Sequence, residues 1–169
     1  MRRFAIAVFL SLFFAGAAFP CGDKLSSMNR GVRLQRAIAS RRPAAIVILS
    51  GETLVPKQVE TFRAGFARGG HRVEVASSRA DLAAILSRVP HDVVVVASAD
   101  VADVETELGK MSPPPALIRV VDRPTRSQWK AELARCPLAI RTDSDSIEQL
   151  AAIDGAMRMR RGGTNTCAR

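Results

Sequence analysis

Three cysteines and two histidines are the residues of this chain best suited to nucleophilic or metal chemistry. A cysteine nucleophile needs a neighbouring histidine that stabilises the thiolate, and a zinc site needs ligands at short, regular spacing. Cys21, Cys136 and Cys167 have no CxxC partner and no histidine close in sequence. His71 and His91 each stand beside the start of a predicted strand, where we expect surface residues. The sequence therefore predicts no metal site and no cysteine nucleophile.

Hydroxyl and acidic residues do not complete a catalytic motif either. Ser98, His71 and Asp122 lack the spacing and context of a serine triad. The loop that begins at Ser50 lacks the glycine spacing that cradles a phosphate group. The chain has no tyrosine, and its one tryptophan, Trp129, falls on a predicted helix, so a flavin site is not indicated. We expect no cofactor and no enzymatic activity.

The elements that would position such residues are predicted from hydrophobic periodicity and turn residues. Short β-branched or apolar runs predict strands over 44–49, 71–76, 92–97, 116–121 and 137–141. Apolar residues at helical spacing predict helices over 56–68, 79–89, 100–111, 125–135 and 146–160. Strand and helix therefore alternate five times.

Four of the five strands are continuous apolar runs, which indicates a sheet covered on both faces. We predict an α/β fold: a three-layer, doubly wound, five-stranded parallel sheet with strand order 2-1-3-4-5. Ligands of such sheets bind outside the carboxyl ends of the strands. A small-molecule site is therefore expected among Ser50, Gly51, Ser98, Asp100, Asp122 and Arg141. Asp100 is itself expected to be a helix N-cap.

The start of the chain has the layout of a secretory signal peptide. Two arginines precede an apolar run over residues 4–19, which is shorter than the roughly 20 residues of a membrane span. Pro20 favours cleavage after Ala17 or Ala18 and weakens a lipoprotein reading. We expect residues 1–18 to be removed, leaving a periplasmic or secreted protein with no transmembrane span.

The rest of the chain divides into three predicted parts: an N-terminal arm or short helix over 19–42, the α/β domain over 43–161 and a flexible tail over 162–169. An oxidising compartment favours a disulfide. We expect it to join Cys21 to Cys136, which leaves Cys167, in the tail, as the odd cysteine.

Basic residues gather at the two ends of the chain, and removal of the signal peptide lowers the formal charge from +9 to about +7. If the ends meet, they form a basic face of Arg33, Arg36, Arg41, Arg42, Arg158, Arg160 and Arg161. Such a face could contact polyanions weakly, or the charge could simply keep the protein soluble. No aromatic residues interleave with the arginines, so no specific nucleic-acid binding is expected.

Five βα units that end in a long helix resemble the receiver domain of bacterial response regulators. The closest stretch is His91 to Ser98, in which an acidic residue and four valines lead to Ala97. In receivers the position of Ala97 holds the phosphorylated aspartate. The resemblance spans residues 44–160 and implies a flavodoxin-like fold. Residues 21–25, 31–36 and 135–136 are also similar to segments of a group of exported bacterial proteins, which supplies no activity.

The receiver resemblance also implies what this chain lacks. Receiver chemistry needs an acidic pair that binds magnesium, an acceptor aspartate, a hydroxyl and a lysine. The corresponding positions form a degenerate receiver pocket of Ser50, Gly51, Glu52, Ala97, Ser98, Asp100, Asp122 and Arg141. We therefore expect a domain that has lost phosphoacceptor chemistry.

Three functions remain open from the sequence. The first is an exported, non-catalytic receiver-like domain that presents its fourth and fifth helices, and the strand between them, to an unknown envelope protein. Exposed apolar residues near Trp129 would favour this function. The second is an envelope polyanion or small-anion binder that uses the terminal arginines. The third is a weak enzyme with a metal or cofactor at the strand ends.

Overall fold

The computed structural model describes residues 43–162, in which five strands and five helices alternate. The strands are β1 (Ala45–Leu49), β2 (Arg72–Ala76), β3 (Val93–Ala97), β4 (Ala116–Val121) and β5 (Ala139–Arg141). The helices are α1 (Pro56–Arg68), α2 (Arg79–Arg88), α3 (Val101–Leu108), α4 (Arg126–Arg135) and α5 (Ser146–Gly162). A 3₁₀ turn over Ser98–Asp100 precedes α3. Each predicted element is present, with small shifts at its ends.

The five strands form one parallel sheet in the order β2-β1-β3-β4-β5. Ile46 of β1 lies in register with Val73 of β2 and Val93 of β3, and Val96 of β3 lies in register with Arg119 of β4. The predicted fold class and strand order are confirmed. β2 and β5 are the two edges of the sheet, and the carboxyl ends of all five strands meet along one rim.

The sheet is covered on both faces because successive side chains of a strand point to opposite sides. The helices α1 and α5 cover one face, and its core includes Ile46, Ile48, Phe62, Phe66 and Ile153. The helices α2 and α3 cover the other face, and its core includes Val47, Leu49, Leu82, Ile85 and Val104. These two cores account for the continuous apolar strands.

Polar side chains hold the backbone where β1 begins. The Ala44 N–H donates to His71 Nδ1 at 3.0 Å, and the Ala45 N–H donates to Asp92 Oδ2 at 2.9 Å. Arg160 of α5 forms an ion pair with Asp92. Three separate parts of the chain therefore fix the first strand at the amino edge of the sheet.

Both histidines are buried, so the prediction of surface histidines is wrong. Each lies in a short connection between a helix and a strand, and its ring is buried there. The His91 Nδ1 lies 2.8 Å from the Val89 carbonyl oxygen, and its Nε2 lies 3.5 Å from Glu74 Oε1. Burial lowers the pKa of His71 below its ordinary value of 6.5. The structure uses both rings to complete the fold.

Candidate functional site

The carboxyl rim of β1 and β3 brings Gly51 and Asp100 together. A Cβ atom at Gly51 would lie 3.2 Å from Asp100 Oδ2, so the loop after β1 passes directly against this carboxylate. Ser50 and Glu52 flank the glycine, while Ala97, which ends β3, is 2% exposed. The loop residues of the predicted pocket that follow β1 therefore lie beside the carboxylate of Asp100.

Asp100 stands at the N-cap position of α3, but its side chain makes no capping hydrogen bond. Its backbone has φ −93° and ψ −4°, because the turn that begins at Ser98 already winds into the helix. An N-cap side chain reaches the first helical N–H groups from an extended backbone, so Asp100 is unsuited to that role. Its Oδ2 atom is buried with no hydrogen-bond partner in the described part of the chain. The predicted capping interaction is absent.

The other two charged residues of the predicted pocket are engaged at the β5 side of the sheet. The Asp122 Oδ1 accepts a hydrogen bond from Thr142 Oγ1 at 2.8 Å. The Arg141 guanidinium lies 5.8 Å from the centre of the Trp129 ring and 3.6 Å from Glu148. Arg141 therefore ties α4 to α5 across β5. Among residues 43–162, no group of three or more His, Cys, Asp or Glu side chains could hold a metal ion.

The most unusual helix at this side of the sheet is α4, because none of its residues is buried. Trp129 is half-buried and Leu133 is 40% exposed. Arg126, Trp129, Lys130 and Leu133 follow the spacing i, i+3, i+4, i+7, so they share one helix face. We call this set the α4 stripe. It combines two apolar and two cationic side chains, and both cations are exposed.

A nearly buried ion pair connects α4 to the sheet. Arg119 of β4 donates from its NH1 group to Glu132 Oε2 at 2.8 Å, and the two side chains are 11% and 18% exposed. The Arg119 Nε atom is buried without a partner among the described residues. Sequence reasoning treated β4 as an apolar strand and missed this residue, although an arginine between Ile118 and Val120 was the available signal.

A groove of about 520 Å³ lies between α4 and α5, along β5. Its lining is mostly apolar and includes Trp129, Pro137, Leu138, Ala152, Gly155 and Met159. The α5 wall carries small side chains, which leave the floor of the groove open. Trp129 of the α4 stripe therefore borders a surface recess that is large enough for a few side chains of a partner.

The outer edge of β5 offers no free N–H group to an added strand. Parallel pairing with β4 directs the N–H groups of Ala139 and Arg141 away from the sheet. The Ala139 N–H donates to the Cys136 carbonyl oxygen at 3.1 Å, and the Arg141 N–H donates to Ser144 Oγ at 3.0 Å. Binding at this edge must therefore rely on side chains.

The predicted basic face is described only on α5. Arg158 and Arg160 form ion pairs with Asp154 and Asp92, and Arg161 Nε donates to the Met157 carbonyl oxygen. Residues 43–162 contain 16 Lys and Arg and 15 Asp and Glu, a formal charge of +1 against +9 for the whole chain. The basic excess therefore lies in the end segments. The positions Arg33, Arg36, Arg41 and Arg42 are outside the described residues.

Cys136 is completely buried at the end of α4 and is not a free thiol. The other two cysteines lie outside the described residues, so the pairing of Cys21 with Cys136 stays a prediction. The predicted signal peptide, arm and most of the tail also lie outside the described residues.

Comparison with known proteins finds no matching family model, no similar curated protein and no similar solved structure. The likeness to a receiver domain therefore rests on the α/β architecture and the strand order. Within residues 43–162, no helix has the length and apolar character needed to cross a membrane.

Proposed function

We propose that this chain is an exported, non-catalytic, receiver-like domain that binds an envelope protein through α4, β5 and α5. The observation that carries the proposal is α4 itself, which buries none of its residues and exposes Leu133 beside the half-buried Trp129. Apolar side chains that are grouped on a surface and rimmed by polar ones are typical of protein interaction sites. A groove between the same two helices adds room for a partner's side chains.

The non-catalytic part of the proposal is supported by the residues at the carboxyl rim. Ala97 has no group that accepts a phosphoryl group, and the loop after β1 has a glycine beside Asp100 where receivers have an acidic pair. Asp122 and Arg141 are held by Thr142 and Glu148. Incubation with acetyl phosphate and magnesium should leave the intact mass unchanged. A stoichiometric gain of one phosphoryl group would refute this part.

The interaction is tested by a pull-down from envelope extract with the mature, full-length chain at low and high salt. We compare the natural protein with Leu133→Ser and with Val89→Ser. Leu133 and Val89 are 40% and 39% exposed, so the two changes remove equally exposed apolar side chains from different surfaces. A protein that is retained by the natural chain and by Val89→Ser, but lost with Leu133→Ser, supports the proposal. Equal retention by all three would refute it.

A further inference from the structure

We infer that the α4 stripe binds an acidic segment of a partner protein, with apolar side chains of that segment in the groove between α4 and α5. This inference rests on the proposed function and adds the chemistry of the partner. It follows from the unpaired charges of the α4 stripe and from the hydrogen bonds that already occupy the outward N–H groups of β5.

The charges of the stripe are uncompensated, whereas those of the opposite wall are paired. Arg126 and Lys130 form no ion pair with another residue of the described range. On the α5 side, Glu148 lies 3.6 Å from Arg141, and Arg158 pairs with Asp154. The helix face that Trp129 shares with Arg126 and Lys130 therefore carries a local positive charge, in a domain whose formal charge is only +1. Carboxylates of a partner would complement this charge.

The geometry disfavours two other occupants. A strand cannot extend the sheet at β5, because Ala139 and Arg141 already use their outward N–H groups. A second copy of this chain is disfavoured, because a two-fold interface places the same patch on both subunits and would bring Arg126 and Lys130 close to their own copies. A different protein with acidic side chains meets neither obstacle.

The partner must also supply apolar groups. Trp129 forms one wall of the groove, and Leu133 is exposed on the same helix face. An apolar segment that fills the groove and continues along α4 would remove both side chains from water. Charge then selects the partner and speeds the encounter, while apolar contact retains it. The expected segment carries at least two apolar side chains flanked by aspartate or glutamate.

The test uses three short helical peptides that share the same leucine positions and carry glutamate, glutamine or lysine elsewhere. Fluorescence anisotropy with the mature, full-length chain should rank them in that order, with the glutamate peptide bound about ten-fold tighter than the glutamine peptide and weakened by salt. The double variant Arg126→Glu/Lys130→Glu should reverse the order. The double variant Lys57→Glu/Arg72→Glu makes the same change of charge at exposed positions that form no ion pair in the described range, and it should keep the original order.

Several results would overturn the inference. If the three peptides bound equally and Leu133→Ser abolished the binding of all three, the stripe would be an apolar docking site that does not select by charge. That result would be consistent with the proposed function. Binding of no peptide would refute the acidic segment, while the pull-down still decides the proposed function. If the chain instead bound vesicles that contain phosphatidylglycerol more strongly than it binds the glutamate peptide, Arg126→Glu/Lys130→Glu would abolish the vesicle binding. That result would assign the stripe to a membrane surface.

Discussion

The helices α4 and α5 flank the same edge strand, yet they relate to the core in opposite ways. The helix α5 buries Gln149, Leu150, Ile153 and Ala156, and it packs closely against α1. The helix α4 buries no residue. One side of β5 is therefore built for stability, and the other is available as a surface.

Local interactions replace burial in α4. Thr125 and Gln128 form a reciprocal capping box, in which the Thr125 N–H donates to Gln128 Oε1 at 2.8 Å and the Gln128 N–H donates to Thr125 Oγ1 at 3.3 Å. The Arg119–Glu132 ion pair then fixes the helix to β4. A helix held in this way keeps its outward face free for another task.

Truncation of a buried side chain in α1 should destabilise the protein far more than truncation of an exposed one in α4. Phe62→Ala should lower the free energy of unfolding by about 3–5 kcal/mol, because it opens a cavity in a fully buried cluster. Leu133→Ala should lower it by less than about 0.5 kcal/mol. Urea denaturation of the two variants measures both values. Similar losses would show that α4 packs into the core after all.

A second pair of variants tests the close approach of α1 and α5. Alanine at Gly65 would place a Cβ atom in steric overlap with Gln149 Oε1, and Gln149 is buried with its Nε2 donating to the Ser144 carbonyl oxygen. Gly65→Ala should therefore cost about 1–3 kcal/mol of stability.

Gly155→Ala is the matched control, because its Cβ would meet only Leu138 Cδ2 at 3.1 Å. The gain in helix propensity should keep this variant within about 0.5 kcal/mol of the natural protein. Thermal and urea unfolding compare the two. If Gly65→Ala left the stability unchanged, α1 and α5 could move apart at little cost. The packing of α5 would then differ less from that of α4.

The third prediction concerns the attachment of α4. Arg119→Leu removes the ion pair with Glu132 and should increase amide hydrogen exchange in α4 about ten-fold, while the amides of α5 keep their protection. Arg63→Leu breaks an exposed ion pair with Glu60 on α1 and should leave exchange unchanged. Faster exchange throughout the domain would show that α4 is part of the cooperative core.

The stability of the protein should also depend weakly on pH, through His71 near the start of β1. The pKa of His71 is lowered by burial, so its contribution to stability is complete above pH 6.5. Below that value the unfolded chain takes up the proton first, so stability falls as the pH falls, until His71 is also protonated in the folded state.

The variant His71→Asn keeps an oxygen that can accept the Ala44 N–H and removes the titrating ring. It should lose less stability than the natural protein between pH 7.5 and pH 5, by under about 1 kcal/mol. His91, which faces Glu74, is present in both proteins and does not affect the comparison. Identical pH profiles would exclude His71 as the source of the dependence.

The fold was predictable because its signals are local. The valines of β3 and the apolar run of β1 indicate strands without any knowledge of their neighbours, and the alternation of strand and helix then limits the topology. The glycine pair after α1 and the prolines before β4 mark the turns in the same local way.

The site was less predictable because it depends on tertiary contacts. No periodicity indicates that His71 accepts a backbone N–H from Ala44, 27 residues earlier in the chain. Asp100 does not cap α3 because the turn at Ser98 already winds into the helix. Arg119 can pair with Glu132 only because α4 lies over β4. Leu133 is exposed near Trp129, which is the condition that favours the interaction function. The basic side chains that share its helix face are recognised as a surface feature only once the burial of α4 is known.

The closed edge of β5 has a consequence for how this protein behaves when it is crowded. Edge strands with open N–H groups act as templates on which further chains add, and this is a route to fibrils. At β5 the strand is three residues long and its outward donors are already used by Cys136 and Ser144. At this edge the domain can therefore keep a tryptophan and a leucine at its surface without offering open N–H groups on which another strand could add.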